Sequence, residues 1–563
     1  MLLTMSISLF GQSKIKEVIN KKITNVKSKI NDDSLRITGA VKIYAGYRIF
    51  SENNSKPFEY RINANVNLSY KGIKIPLAYN FSNGKSLYRI NGPNLNVPKF
   101  NNLGFSPTYK WAKLHVGTRT MSFSKYSYDN LRFVGGGTEL TPGNLQFKFF
   151  NGKIFQSSLS DIQLSNSLNN PFKRKAWGMM SGYKSKTAEY SGILFKSSDD
   201  YSGITDSTVY KIYKPKANTI VGIVAKQTIF EHLELSYDWT ISALTYNLFS
   251  ERIDIPTHWT AYNMFGLYEK RTSSKYANAK KLSIKYSKDD KTYGFNYERI
   301  DKDYRSLGSL IFDNNYESYT VTFNQQYFKK LNTTSEIGIR RDGIAQESSL
   351  TGKRWVANIN VGYTVNDRLS FNSNYSNFRN VERNYFQPLN SIAFDSVSIS
   401  LVNQNFNISS NYALDKNKKT LLTLMYSMQI SNRIQSDSVV SNNQLNNHIY
   451  TANYSYTNKK VNISSAISYM FNKSEQFTTK AIIPNFSVSV TISEKLAFRS
   501  TTTYNHMMTD VNLLRSLSLN QDLNYQINKK QNVIFTNRWN FNTSKNRFKL
   551  LENMVELDYS LKF

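Results

Sequence analysis

Residues 555–563 read Val-Glu-Leu-Asp-Tyr-Ser-Leu-Lys-Phe, and in this stretch five apolar residues alternate strictly with four polar ones. Successive side chains of a β-strand point to opposite faces, so a period of two places all five apolar side chains on one face. The stretch therefore predicts a strand that is apolar on one side and polar on the other. Such strands also occur in soluble β-sandwiches, and the rest of the chain has to decide between the two settings.

The same alternation recurs upstream, for example in residues 231–240, 353–365, 516–527 and 531–541. Short polar turns follow one another from about residue 175 onward, and longer polar loops such as 431–447 separate successive hairpins. Short turns on one side and long loops on the other are typical of transmembrane β-barrels, whose short turns face the periplasm. The apolar faces are then expected to meet lipid, and the Asn-, Ser-, Thr- and Gln-rich faces to meet water in a lumen.

Counting strands back from Phe563 gives 20 strands by residue 143, and the segments 35–49, 59–70, 73–82, 108–119 and 130–140 resemble further strands. The sequence therefore predicts an all-β fold, a single large antiparallel transmembrane barrel. We expect about 22–26 strands, with 24 as the best estimate, short periplasmic turns and long extracellular loops.

Composition supports one closed sheet rather than several domains. No Pro-rich or Gly/Ser-rich linker divides the 563 residues, and no apolar run approaches the ~20 residues of a membrane helix. Aromatic residues make up 14% of the chain, as aromatic girdles at two bilayer interfaces require. The net charge of +32 is spread over turns and loops, which favours an anionic membrane surface or anion passage and argues against nucleic acid as a partner. The absence of cysteine excludes disulfides and thiol chemistry.

The N-terminal residues predict two segments outside the barrel. Residues 1–12 resemble the remnant of a signal peptide, and residues 13–34 place isoleucine and valine at helical spacing between lysines, as in a basic amphipathic helix. The barrel is expected over 35–563. Within it, 120–140 contains three consecutive glycines and is expected either to fold inward and narrow the pore or to form a bent wall strand.

Two features resemble known families. The alternating segment ending at Phe563 resembles the closing strand of bacterial outer-membrane barrels, which implies that Tyr559, Leu561 and Phe563 form a signal read by the barrel-assembly machinery. The blocks Gly104-Phe105-Ser106-Pro107-Thr108-Tyr109-Lys110-Trp111 and Gly135-Gly136-Gly137-Thr138-Glu139-Leu140-Thr141-Pro142-Gly143 look like those of large Bacteroidota outer-membrane proteins of unassigned function. The resemblance implies a location in the bacterial outer membrane, surrounded by lipopolysaccharide.

The sequence offers no evident catalytic or metal site. The five histidines, His115, His232, His258, His448 and His506, are isolated from one another, and no nucleophile-elbow, phosphate-loop or zinc-protease motif is present. We therefore expect no enzymatic activity, no cofactor and no metal, although a serine–histidine pair assembled from distant strands has no sequence signature.

Charged residues on the polar faces are the candidates for setting the field of a pore, or alternatively for a salt-bridge lattice that stiffens the wall. These pore-lining candidates are five cations and five anions: Lys281, Lys285, Arg340, Arg354, Arg538, Glu234, Asp238, Glu298, Glu336 and Asp522.

The sequence favours a pore, or the membrane component of a transport or protein-translocation system. The alternative is a structural, adhesion or display barrel with a filled lumen, and an integral-membrane hydrolase is a third possibility. A periplasmic or surface protein is a further expected partner.

Overall fold

The computed structural model describes most of the chain after residue 34, so the predicted signal remnant and amphipathic helix lie outside the described residues. The described ranges are 35–50, 58–82, 102–155, 172–202, 210, 213–253, 264, 266–309, 313–345, 352–386, 395–435, 444–474, 477–510, 512–544 and 547–563.

Extended backbone dominates these ranges, because alternating apolar and polar residues suit strands that are solvated on one face only. The strands are β1 (Arg36–Phe50), β2 (Phe58–Tyr70), β3 (Ile73–Ser82), β4 (Asn102–Phe105), β5 (Thr108–Tyr109), β6 (Ala112–Thr120), β7 (Arg132–Leu140), β8 (Leu145–Phe155), β9 (Lys173–Lys184), β10 (Ala188–Asp200), β11 (Ala217–Ile229), β12 (Leu233–Thr245), β13 (Ser274–Lys288), β14 (Lys291–Ile300), β15 (Tyr316–Tyr327), β16 (Leu331–Asp342), β17 (Gly352–Thr364), β18 (Leu369–Phe386), β19 (Asp395–Ala413), β20 (Thr420–Gln435), β21 (Gln444–Thr457), β22 (Val461–Lys473), β23 (Thr478–Ser493), β24 (Leu496–Thr509), β25 (Leu513–Asn528), β26 (Gln531–Ser544) and β27 (Arg547–Lys562).

Apart from β4 and β5, which do not pair with each other, successive strands pair antiparallel, and β27 pairs with β1, so the sheet is closed. Eleven residue pairs join β1 to β27, from Ala40–Lys562 to Phe50–Glu552. Gly39 and Phe563 exchange two further backbone hydrogen bonds of 2.9 and 3.0 Å. The prediction of a closed antiparallel all-β barrel is confirmed.

The 27 strands occupy 26 wall positions, because β4 and β5 share one position: both pair with β3 and with β6. The best estimate of 24 strands was therefore slightly low. The sequence count was correct from residue 143 onward but treated 108–119 as a single strand. The overlooked strand is interrupted at Ser106 and Pro107, where proline has no N–H to donate to a ladder. Such a broken strand leaves almost no alternating pattern to recognise.

The two faces of the wall differ in chemistry. Large apolar side chains such as Ile467 (53% exposed) and Leu557 (46% exposed) project from the outer face. On the inner face, polar side chains pair across strands, as in Thr451–Ser468 and Asn453–Ser464. No helix in the described part of the chain is long and apolar enough to span a membrane.

The connections also differ between the two ends of the barrel. Tight connections such as 71–72, 289–290 and 529–530 form what we call the short-turn end, where β1 begins and β27 finishes. The connections 121–131, 246–273 and 301–315 belong to the opposite, long-loop end. Strands 4.7–4.9 Å apart and tilted by about 40° give a circular barrel of 26 strands a backbone diameter of about 50 Å.

One long loop folds over the outside of the barrel. In the connection between β12 and β13, Met264 and Tyr268 are buried against the outer-face residues Val221, Ile241 and Ala243. Lys196 of β10 donates a hydrogen bond of 2.6 Å to the carbonyl oxygen of Leu267. The apolar outer face of β11 to β13 is therefore covered by the protein's own loop near the long-loop end.

Candidate functional site: a lumen narrowed by two loops

Residues 121–131, which connect β6 to β7, leave the wall and fold into the lumen. We call this segment the first lumen loop. Phe123 and Tyr128 are nearly fully buried, and Tyr128 stacks on Phe150 of β8 at 4.4 Å and on Phe195 of β10 at 5.5 Å between ring centroids. Residues 132–140, the remainder of the segment expected to bend, form wall strand β7.

The loop covers an apolar sector of the inner wall. Phe133, Phe150, Ile154, Ala176, Met180, Ile193, Phe195 and Ile220, all on the inner face of β7 to β11, join Met121, Phe123, Tyr128 and Leu131 in one buried cluster. The expectation of a uniformly polar lumen does not hold for this sector, because the first lumen loop shields these side chains from water. Gly178 provides space for the loop, since a β-carbon there would overlap the ring of Phe123.

Polar contacts fasten the first lumen loop to two more distant strands. The Ser124 hydroxyl donates to Asp238 of β12 at 2.7 Å. Lys125 and the Tyr126 hydroxyl both donate to Oε1 of Glu298 on β14, at 2.9 and 2.5 Å. Contacts with β8, β10, β12 and β14 at once require the segment to lie on the concave side of the wall.

Residues 301–309 and 313–315, between β14 and β15, belong to a second lumen loop that bonds to the first. The Tyr304 hydroxyl donates to the carbonyl oxygen of Tyr126 at 2.9 Å and lies 2.6 Å from Thr240 Oγ1. Ser306 donates to the Ser127 carbonyl, and Tyr128 pairs with Gly308 as an isolated parallel bridge. Burial raises the pKa of Tyr304 well above its usual range, so its hydroxyl stays a donor.

Three of the predicted pore-lining residues lie at this junction. Asp238 and Glu298 hold the first lumen loop, and Lys281 pairs with both of them in register across β12, β13 and β14. Their arrangement is an alternation of charges, anion–cation–anion, on one inner-wall row. Asp238 and Glu298 therefore anchor the first lumen loop to the wall in addition to lining the lumen.

Arg340 and Arg354 belong to a second group of charges on adjacent strands. Arg340 pairs with Asp342 at 2.7 Å and with Asp313 of the second lumen loop, and its guanidinium lies 3.5 Å from the Tyr316 ring centre. Arg354 binds the other oxygen of Asp342 at 3.0 Å. The second lumen loop is thus also anchored by charge to the wall.

The remaining predicted charges form separate pairs rather than one site. Glu234 binds Lys226 at 2.8 Å and faces Lys285 across the strand pair. Glu336 accepts a hydrogen bond from Thr320, Asp522 accepts one from Thr536, and Arg538 binds Glu556 at 3.1 Å. Among these five residues, Glu234 and Arg538 are therefore paired with an opposite charge, whereas Glu336 and Asp522 accept hydrogen bonds from neutral hydroxyl groups.

The opposite sector of the wall is neutral. From β18 to β23, the described inner-face side chains include neither a charged nor an aromatic residue, and we call this sector the neutral wall. Hydroxyl and amide side chains bridge neighbouring strands, as in Ser427–Asn407 at 2.6 Å and Ser464–Asn453 at 2.9 Å. The described inner surface therefore includes a charged sector covered by the two lumen loops and, apart from it, an uncharged sector formed by six strands.

A serine–histidine–glutamate chain lies beside the interrupted strand. Ser106 Oγ is 2.8 Å from His115 Nδ1, and His115 Nε2 is 2.7 Å from Glu139 Oε1, which also binds Lys113 at 2.8 Å. The order resembles a catalytic triad, but Ser106 and His115 are 4% and 3% exposed, which leaves a substrate no access to the hydroxyl. The geometry fits a clamp that ties β4 and β5 to β6 and β7.

Sequence reasoning missed the residues that build the constriction. Lys125, Tyr126, Tyr304 and Ser306 lie in connections, which carry no periodic signal. The inward fold of 121–131 was signalled only by the glycines of β7. Among the described residues, no group of three or more histidine, aspartate or glutamate side chains is arranged to hold a metal ion.

No protein-family model matches this chain, and no curated protein matches it. Solved structures with similar folds include the FrpB iron transporter from Neisseria meningitidis (13% identity, 93% of this chain and 82% of that chain, TM-score 0.35). They also include the ferric enterobactin receptor PfeA from Pseudomonas aeruginosa (10% identity, 94% and 82%, TM-score 0.42) and the translocation pore of the P pilus usher PapC (9% identity, 93% and 99%, TM-score 0.38). Similarities at this level carry no functional inference.

Proposed function

We propose that this protein is an outer-membrane conduit for a large hydrophilic cargo. The observation that carries the proposal is the neutral wall, an uncharged inner surface rich in hydroxyl and amide groups in a barrel whose outer face is apolar. An apolar outer face suits hydrocarbon, and closure leaves no strand edge unpaired in lipid. We further propose that lipopolysaccharide surrounds the long-loop end and that the assembly machinery reads Tyr559, Leu561 and Phe563.

The size of the barrel favours a cargo larger than a nutrient. Barrels of 16–18 strands already enclose aqueous channels for small solutes, and a circular barrel of 26 strands would be about 50 Å across at the backbone. Wall charges are screened within about 8 Å at physiological salt, so only a solute wide enough to touch the wall senses its chemistry. A neutral, hydrated wall gives such a solute few strong contacts along its path.

Single-channel recording in planar bilayers tests the conduit directly. We expect wild-type protein to conduct, and a variant with residues 122–130 replaced by a three-residue Gly-Ser linker to conduct more. The linker is sterically feasible because Thr120 and Arg132 are paired neighbours. Absence of current in both proteins, with folding verified by heat-modifiable migration, would contradict the proposal.

The second candidate is a structural or display barrel, and the buried cluster beneath the first lumen loop favours it. A loop held by aromatic stacking, hydrogen bonds and an ion pair is a fixed filler rather than a mobile gate. In this case the described loops are the visible part of a filled lumen. The linker variant separates the candidates, since a display barrel stays closed to ions when one loop is removed.

A further inference from the structure

The six short turns from β15–β16 to β25–β26 repeat one hydrogen bond. In each, the last turn residue accepts a backbone hydrogen bond of 2.7–2.8 Å from the neighbouring strand. Without exception the accepting residue is a cation. The six residues are Lys330, Arg368, Lys419, Lys460, Lys495 and Lys530.

The other half of the barrel uses the same bond without the charge. There the equivalent carbonyls belong to Trp111, Asn144, Thr187 and His232. The backbone geometry therefore does not require a cation at this position. A cation in six successive turns has to be explained by something outside the turn itself.

By the two-residue alternation of the strand that follows it, each of the six cations belongs to the lumen-facing set of positions. Each directly precedes a residue of outer-face parity, for example Leu331, the first residue of β16, and Val461, the first residue of β22. A concavity at the short-turn end is lined by four cations, Lys495, Lys529, Lys530 and Lys562, and by one anion, Glu494. The six residues therefore form an arc around the mouth of the lumen, at the foot of the neutral wall.

The cations of the arc carry charge that no described ion pair neutralises. None of the six cations forms an ion pair with another described residue, and Lys330, Lys419, Lys460, Lys495 and Lys530 are exposed. Neighbouring turns are two strands, about 10 Å, apart along the rim, close to the Debye length at physiological salt. The fields of adjacent cations overlap at the mouth and fade before the middle of the wall.

We propose that this cationic arc captures an acidic, extended polypeptide segment at the short-turn mouth. The chemistry needed is a carboxylate about every third residue, because an extended chain rises about 3.3 Å per residue and the cations recur about every 10 Å. A polysaccharide is less well suited, because the described neutral wall presents no aromatic ring on which sugars could stack. The proposal rests on the proposed conduit only for the direction in which the segment then moves.

Paired charge-removal variants test the arc in purified, detergent-solubilised protein. The first variant carries K330Q, K419Q and K460Q. The matched control carries K329Q, K418Q and K459Q, which removes the same charge from the same three turns. Binding of a labelled peptide with glutamate at every third position is followed by fluorescence anisotropy, with glutamine and lysine versions of the peptide as controls.

We expect the acidic peptide alone to bind wild-type protein. The first variant should weaken its affinity by about ten-fold and the control by about two-fold or less. Equal losses in the two variants would overturn the proposal, because general charge then suffices. Preference for polygalacturonate over the acidic peptide would overturn the polypeptide assignment.

The peptide-binding test of the arc and the conductance test of the conduit can fail independently of each other. Peptide binding to a protein that passes no current would retain the arc as a docking site and reject the conduit. Current without peptide binding would reject the arc alone. Heat-modifiable migration of both variants controls for folding, and exposed turn lysines are expected to be replaceable without unfolding.

Discussion

At the scale of single residues, the inward and outward faces of a strand impose opposite demands. Ile467 and Ser468 are neighbours near the middle of β22, yet Ile467 projects outward and Ser468 contacts Thr451 inside. A charge on the outer face must enter hydrocarbon, whereas a charge on the inner face meets water. Adjacent positions therefore provide a controlled comparison of the two environments.

We expect I467R to destabilise the folded barrel by about 2–4 kcal/mol if it lies at the bilayer midplane, and S468R to cost less than about 1 kcal/mol. Denaturant titration of both variants in lipid vesicles measures the difference in free energy of unfolding. Similar costs at the two positions would mean that the outer face does not contact lipid.

Gly178 offers a second comparison at the residue scale. A β-carbon there would overlap Phe123 and lie 2.8 Å from Phe150, whereas a β-carbon at Gly192 on the neighbouring strand meets nothing within 4 Å. We expect G178V to displace the first lumen loop and G192V to leave it in place. Trypsin cleavage after Lys125 should accelerate in the first variant alone, and equal protection in both would contradict the packing of Phe123 on Gly178.

At the scale of elements, the weakest wall position is the interrupted strand. Only four residue pairs join β4 and β5 to β6, against eleven between β1 and β27. The side chain of Arg119 compensates by donating to the carbonyl oxygens of Pro76, at 3.1 Å, and Gly104. One guanidinium thus links three successive strands where the ladder is incomplete.

Replacing Arg119 by glutamine should loosen this element specifically. Loss of a charged donor to buried carbonyls costs about 1–3 kcal/mol. We expect faster amide hydrogen exchange in residues 102–105 and unchanged exchange in β25, which serves as an internal reference. Uniformly unchanged exchange would show that the ladder holds the interrupted strand without Arg119.

The same element shows what the sequence was able to predict. From β8 to β27 the strand count was correct, because lysine- and asparagine-containing turns separate long segments of alternating polarity. Before β8 one wall position was missed, since Pro107 divides the strand formed by β4 and β5. The inner face of β7 to β10 is apolar rather than polar, since it carries Phe133, Phe150 and Phe195. Those phenylalanines are stabilised by Phe123 and Tyr128 from a distant loop, a tertiary effect without local signature. The constriction was therefore beyond the reach of periodicity, whereas the ten predicted charges all lie on regular strands.

At the scale of the whole molecule, the described lumen loops cover one sector of the inner wall and leave another sector without a described cover. The two lumen loops lie against β7 to β16, while the neutral wall faces them across the barrel. Solutes that pass should therefore follow the neutral wall rather than the centre.

Charge placed on the neutral wall should consequently affect large solutes more than small ions. We expect S427D combined with S464D to change small-ion conductance little, because wall fields are screened within about 8 Å. The same variant should slow entry of an acidic peptide measured as current block, and S427N with S464N is the neutral control. Equal effects on ions and peptide would place the conducting path elsewhere.

Closure of the barrel also dictates the order of events by which the chain reaches its native state. The pairing of Ala40 with Lys562 joins residues more than five hundred positions apart, so it is among the last contacts that a growing sheet can make. Until then β1 and β27 are two free strand edges on one apolar sheet, the arrangement most prone to pairing with other chains. Non-local pairing is also slow, because the loop-closure entropy is lost before the contact is gained. The final seam should therefore be the kinetic bottleneck of biogenesis, and a factor that shields these two edges would accelerate folding without contributing to the finished barrel.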